Sequence, residues 1–358
     1  MANFDLSNLA LSAVCPGNEI LYDDKGMPSI MVKIPKQTYA QLGMGESTAV
    51  HPAFIINGSE VEAIWISKYQ NIVKDGRAYS LPGQDPANYL NFDTARGYCE
   101  AKGVGWHLLT RMEWGLLVQW CENNEFVPLG NNNFGKHSTE SNYKAIPMNK
   151  DAEGKTLRVA TGTGPLTWYH DKSPSGIADL CGNVWEWSGG IRSVYGELQI
   201  LVNNNGADSS HSQLETGSDW KAIDATTGAA LDPNGLGTTP NSVKMDWVGS
   251  VLTYNTTITD AAPGQHSCTF GAITCDASIG EPAKLLLQSI DMLPYNSAGL
   301  CASHYCYFDN AQAERSFYSG GSYYYSAYGM ASFGGDTPRS NVNTNIGFRS
   351  AFVVLPSA

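Results

Sequence analysis

Apolar positions repeat at helical spacing in two stretches of this chain and alternate in a handful of others. The stretch IMVKIPKQTYA (30–40) reads as one strand. In HPAFIINGSEVEAIWISKYQNIV (51–73), two apolar runs are split by Asn57-Gly58, a pair that tolerates positive φ and so predicts a tight hairpin. FDTARGYCEAKG (92–103) fits a short helix closed by Gly103. In LLTRMEWGLLVQWCENN (108–124), Thr110 and Glu113 have the spacing of a capping box, and Leu116, Leu117, Trp120 and Cys121 follow at helical spacing. In DLCGNVWEWSGG (179–190), alternation sets Trp185 and Trp187 on one face of a strand and Glu186 on the other. LLLQSIDML (285–293) suits a strand or a short helix, and NIGFRSAFVVL (345–355) reads as a final strand. Residues 1–50 carry few periodic signals. Residues 125–178 are polar and glycine-rich, and 191–300 read as long loops rather than a second domain.

Composition narrows the function classes. The 358 residues are 42% hydrophobic and 16% charged, with 37 glycines, which predicts a folded, loop-rich protein with short strands. A net charge of −12 argues against generic binding to nucleic acid or to an anionic membrane. The opening MANFDLSNLALSAVCPGNEI has no basic n-region and no long apolar core, so it does not read as a signal peptide, and no stretch approaches a membrane span. Synthesis and retention in a cytoplasm, or exit within an assembled particle, is therefore expected. With no secretion signal read, the eight cysteines are expected as free thiols, and metal binding by them is not expected, since none forms a CxxC pair and CASHYC (301–306) has a poor zinc spacing. No cofactor is expected. The Asn and Asp content leaves room for structural calcium, although no EF-hand spacing marks a site.

One stretch fits no core pattern. SGGSYYYSAYGM (319–330) sets four tyrosines beside a glycine pair, with Phe317, Tyr318 and Phe333 around them. Tyrosine offers a large contact area at low rotamer entropy, and Ser and Gly add adaptable fit; this is the composition of antibody paratopes. At least three of these seven rings are expected to be exposed. If the stretch is extended, Tyr324 faces one way and Tyr323 and Tyr325 the other.

IWISKYQN (64–71), FDTARGYCEAKG, HLLTRMEWGLL (107–117), DLCGNVWEW (179–187), SGGSYYY (319–325) and NIGFRSAF (345–352), in that order, resemble the formylglycine-generating-enzyme branch of the C-type lectin fold. The resemblance implies an α+β domain with two helices, short twisted sheets and many loops. It makes Trp114, Trp185 and Trp187 core or near-core, Thr110 and Glu113 a cap, Gly320 and Gly321 a tight turn, and Arg349 part of a buried polar network. The domain would run from 51 to 358, with a loop-rich insertion at about 191–310 and a variable region at about 316–345; residues 1–50 would form an attachment or oligomerization segment. The resemblance also weighs against catalysis. Formylglycine-generating enzymes use two copper-binding cysteines after the Gly-Gly-Ser turn, and the aligned positions here hold Tyr325 and Met330, neither of which supplies a thiolate. The three-histidine iron site of related sulfoxide synthases has no counterpart among seven scattered histidines.

The ending PRSNVNTNIGFRSAF (338–352) is similar to the constant ending of variable proteins of diversity-generating retroelements, which keep this fold and vary a stretch after the Gly-Gly-Ser turn. In that family miscopied adenines scatter Asn-type codons into many residue types, and between Ser322 and Thr337 only Met330 cannot be reached that way. The resemblance implies a variable, ligand-binding set of Tyr323, Tyr324, Tyr325, Ser326, Tyr328, Phe333, Gly335, Asp336 and Thr337, with Asn341, Asn343 and Asn345 constant or weakly variable. The leading expectation is a receptor-binding adhesin at a phage tail tip, carried on the virion. It would be homo-oligomeric, trimeric by preference, held by other tail proteins, and would bind a host-surface protein or glycan. A bacterial surface or pilus adhesin is the alternative. An altered oxidase, with Cys301 and Cys306 standing in for the missing cysteines, is the remote one.

Overall fold

The structure is a computed structural model and describes residues 5–142 and 145–356. Two antiparallel or mixed sheets carry it. The first has five strands in the order Asn18–Tyr22, Pro28–Pro35, Ala63–Ser67, Ser350–Val353, Trp106–Leu108. The C-terminal strand lies between Ala63–Ser67 and Trp106–Leu108, antiparallel to both, so the end of the chain closes the fold from inside. Pro28–Pro35 pairs with Ala63–Ser67 over five residues. Residues 18–35 are therefore woven into the domain, and the expected boundary at 50 does not hold for them; residues 1–4 lie outside the described residues.

Helix formation follows the local signals. Arg111–Asn123 starts at the capping box: Thr110 Oγ1 accepts from the Glu113 N–H at 3.1 Å, and Glu113 Oε2 accepts from the Thr110 N–H at 2.9 Å. The other oxygen of Glu113 meets His107 Nε2 and Asn204 Nδ2, so the cap also binds the helix to its neighbours. Phe92–Glu100 is the second expected helix. Two more occur among the described residues: Leu6–Val14, none of whose residues is buried, and Glu281–Ser289, which makes the first part of the ambiguous stretch 285–293 helical. Asn57 and Gly58 both have positive φ and close the hairpin Ile55–Ile56/Ser59–Glu60.

The second sheet corrects the reading of 191–300 as loops. It has twelve strands, seven of them between Glu197 and Cys275, and continues from Trp185–Val194 through Glu197–Ile200 and Lys244–Val248 to Val251–Asn255. These strands are two to five residues long, too short for a period of two to stand out from Asn, Gly and Thr-rich connections. On its other flank the sheet runs through Arg315–Ser319 and Phe333–Thr337 to Tyr305–Phe308.

Trp185–Val194 alternates as its sequence requires. Trp185 and Trp187 pack among Phe92, Tyr318, Tyr328 and Phe348. Glu186 points the other way and meets Arg349, which is wholly buried. Arg349 donates to both carboxylate oxygens of Glu186 at 2.9 Å, to the Ser67 carbonyl at 2.7 Å and to the Ala178 carbonyl at 2.9 Å. Gln70 Nε2 donates to the same carboxylate. Removing one partner strands a buried charge. Arg349→Ala is therefore expected to lower unfolding free energy by about 3–5 kcal/mol, and pairing it with Glu186→Gln to recover a part. Urea unfolding of the three proteins checks this, and a single variant within about 1 kcal/mol of the parent would refute it.

Candidate binding groove

Arg315–Ser319 delivers the chain to Gly320 and Gly321, with φ of +88° and +80°. A Cβ on Gly320 would sit 2.9 Å from the Leu180 carbonyl, and one on Gly321 would sit 2.3 Å from Tyr328 Cβ. Both positions thus need glycine for conformation and for space. Beyond them the chain makes turns at 323–324 and 326–327, not a strand, before Phe333–Thr337 returns antiparallel to Arg315–Ser319. Strict alternation is lost for that reason. Tyr323 is 7% exposed and lies against Phe134, whereas the adjacent Tyr324 and Tyr325 are 47% and 38% exposed.

Two of the seven rings are exposed, fewer than expected. Tyr328 is the hub: its ring lies 4.7 Å from Trp185, 5.0 Å from Tyr325, 5.8 Å from Tyr324 and 6.0 Å from Tyr307, edge to face in each case. Phe333 is wholly buried beside Phe317. Gly335 is buried too, and a Cβ there would strike the Phe317 ring at 2.4 Å. Tyr323, Tyr328, Phe333 and Gly335 therefore support the surface from beneath, a correction to the expectation that they present outward. Ser326 is exposed, and Asp336 and Thr337 are half-buried.

Tyr324 and Tyr325, with the half-buried Asp336 and Thr337, border a groove of about 360 Å³. Its lining combines the rings of Tyr324, Tyr325, Tyr328, Trp185 and Tyr318 with the polar side chains of Asn341, Asn343, Asn345, Asp336 and Thr337. Tyr307 and Gln265 close it from the 191–310 region, which therefore shapes the groove directly. Sequence reasoning did not place Trp185, Tyr307, Gln265 or the three asparagines here. The alternating Asn341, Asn343, Asn345 and the alternating Tyr305, Tyr307 were the available signals. Burial pushes the Tyr307 hydroxyl up to about 12, and burial with the neighbouring Asp336 charge raises Tyr318 well above its ordinary value, so both keep their protons at neutral pH.

The loop is braced from behind. Asn132 Nδ2 donates to the carbonyls of Ser326 and Tyr328, and the Phe134 N–H donates to the Tyr323 carbonyl. Trp114 Nε1 donates to the Met330 carbonyl at 2.9 Å. His304 Nδ1 accepts from the Ala331 N–H at 3.2 Å, and its ring fills the space a side chain on Gly329 would need.

The positions that align with copper-binding cysteines are thus a rim tyrosine and a buried methionine. All eight cysteines are unpaired. Cys301 and Cys306 are buried and burial raises both thiols well above the ordinary range, which leaves little thiolate for a metal. Among the described residues no three His, Cys, Asp or Glu side chains converge as a metal-ligand set, and no helix is long and apolar enough to cross a membrane.

A Gly-Gly turn beside a buried tryptophan strand, tied by an arginine that immediately precedes the last strand, belongs to a C-type lectin fold of the formylglycine-generating type. Residues 46–244 match the sulfatase-modifying factor enzyme 1-like domain, and the chain belongs to that family. The match ends before the residues that form most of the groove. Solved structures with similarity are PvdO from Pseudomonas aeruginosa and Treponema denticola variable protein 1. Each is 13% identical with a TM-score of 0.34 over 95% of this chain, covering 99% and 100% of its own chain respectively. No curated protein sequence matches the chain.

Two outcomes follow from this geometry. Tyr328→Ala should cost about 3 kcal/mol or more of unfolding free energy, while Tyr324→Ala and Tyr325→Ala should each stay within about 1 kcal/mol, as measured in urea. Burial, with a smaller contribution from the His137 charge, lowers His304 from 6.5 to about 4. Between these values the unfolded chain binds more protons, so stability falls as pH drops from 6.5 toward 4. His51 is also depressed by burial and acts in the same direction. His304→Gln should remove part of this acid loss, seen as a smaller difference between urea midpoints at pH 7 and pH 5; an unchanged difference would count against it.

Proposed function

We propose that this protein is a ligand-binding adhesin whose groove is a surface diversified by a retroelement. The observation that carries the reading is the division of the aromatic stretch: Tyr324 and Tyr325 stand exposed at the rim while Tyr323, Tyr328 and Phe333 are buried beneath them. Exposed rings on a braced loop, beside a cavity lined by amides, form an interaction surface rather than a core. We place it at a phage tail tip, as a receptor-binding protein held in oligomeric, by preference trimeric, form by other tail proteins. Avidity then raises a modest single-site affinity. On this reading the rim tyrosine and buried methionine at the former metal positions reflect a family member that binds without catalysis.

On this reading, positions free to vary are distinct from positions that are not. Substitutions at Tyr324, Tyr325, Asp336 and Thr337 change the groove, and substitutions at Ser326 change the exposed loop beside it. Substitutions at Phe333 or Gly335 collide with Phe317 or empty the core. Deep sequencing of the gene's 3′ end in a natural population is therefore expected to show variation at the first group and constancy at the second. A near-copy of that end beside a reverse transcriptase should accompany the gene, with tail genes rather than pilus genes around it. A stretch as invariant as GNVWEW would defeat the reading, and pilus genes would move the adhesin to a bacterial surface.

A further inference from the structure

We propose that the groove, in this variant, receives an arginine side chain of a protein on the target surface; this rests on the groove being the ligand site. Three features converge on a planar cation. The first is charge. Among the described residues Asp336 is the one carboxylate lining the groove, and no lysine or arginine lines it. Its Oδ1 accepts from the Tyr318 hydroxyl and its Oδ2 from Gln265 Nε2, both at 2.5 Å. A carboxylate has about four acceptor sites, so this one is held in place with capacity left over. The chain's charge of −12 draws cations toward it.

The second feature is an orphaned acceptor. Asn345 is 6% exposed and lines the groove, and its Nδ2 is engaged by Ser322 Oγ at 3.3 Å. Its Oδ1 is buried with no hydrogen-bond partner among the described residues. A buried oxygen in that state carries a desolvation penalty, which a ligand donor relieves once the Asn345 amide turns toward the groove. The third feature is the aromatic lining. Tyr324, Tyr325, Tyr307 and Trp185 border the cavity, and their faces attract a cation that can lie flat.

A guanidinium satisfies all three: it is planar, always charged, carries five donors and stacks on rings. A quaternary ammonium brings no N–H to Asn345. A neutral sugar brings donors and leaves the Asp336 charge uncompensated. A cavity of 360 Å³ accommodates one such side chain, so the arginine is an anchor at the tip of a loop, with the rest of the partner resting on Tyr324, Tyr325 and Ser326.

The test uses the full chain and small probes. N-acetyl-arginine N-methylamide and its citrulline counterpart, which has the same shape without the charge, are titrated while chemical shifts of labelled tyrosine rings are followed. Tetramethylammonium and a panel of methyl glycosides are run alongside. The arginine probe should bind about fivefold more tightly than the citrulline probe. Asp336→Asn should shrink that ratio to within about twofold, and Tyr325→Ser, at an exposed position with no folding role, should weaken the arginine probe. Equal binding of arginine and citrulline, or of tetramethylammonium and arginine, overturns the proposal. Glycosides binding where arginine does not overturns it too, while leaving the groove as the ligand site. Silence to every probe also overturns it, and population sequencing then decides separately whether the groove is the diversified surface.

Discussion

The ion pair between Arg349 and Glu186 is the joint on which this fold turns. Arg349 immediately precedes the last strand of one sheet, and Glu186 lies in the long strand of the other. Their two parallel hydrogen bonds fix the rotation of the Trp185–Val194 strand about its own axis. Because side chains alternate along a strand, fixing Glu186 inward on one face drives Trp185 and Trp187 onto the other. Those two rings set the height at which Tyr318 and Tyr328 pack, and Tyr328 sets the position of Tyr324 and Tyr325. One buried charge pair thus reaches the surface through three layers of rings.

Legibility followed the range of the signal. The capping box at Thr110 and Glu113, the Asn57-Gly58 hairpin and the Trp-Glu-Trp alternation are local patterns with one good solution each, and they could be read directly. The strands between 197 and 275 could not. Several are only two or three residues long, and they are strands because neighbours pair with them, not because their side chains alternate visibly. The tyrosines failed for a related reason. An expectation of alternation presumes an extended chain, and two successive turns put Tyr323 inside and the next two residues outside. The groove's asparagines were hidden because Asn341, Asn343 and Asn345 resemble any polar loop until the fold brings them to the cavity that Tyr324 also borders.

Glycine sets the limits on what this surface can become. At Gly320 and Gly321 the backbone has positive φ and the neighbouring atoms leave no room for Cβ. At Gly334 and Gly335 the backbone is ordinary strand, and the obstruction is the Tyr318 ring on one side and the Phe317 ring on the other. Two kinds of constraint, conformational and steric, bracket the loop at both ends. The exposed residues between them, Tyr324, Tyr325 and Ser326, can change in chemistry without changing the path of the loop, because its carbonyls are held by Asn132, Trp114 and the Phe134 amide, and none of those bonds involves an exposed side chain of the loop.

That separation explains why tyrosine suits the rim. A ring held at its base by Tyr328 has little rotamer freedom left to lose, so contact with a partner forfeits little entropy. The buried rings therefore do more than fill space, because they pre-organise the two that are exposed. A replacement at Tyr324 or Tyr325 inherits the same stem position and the same neighbours, and differs only in what it offers outward. Variation at such positions explores chemistry at nearly constant geometry, which is the condition under which a single fold can meet a changing partner without being rebuilt.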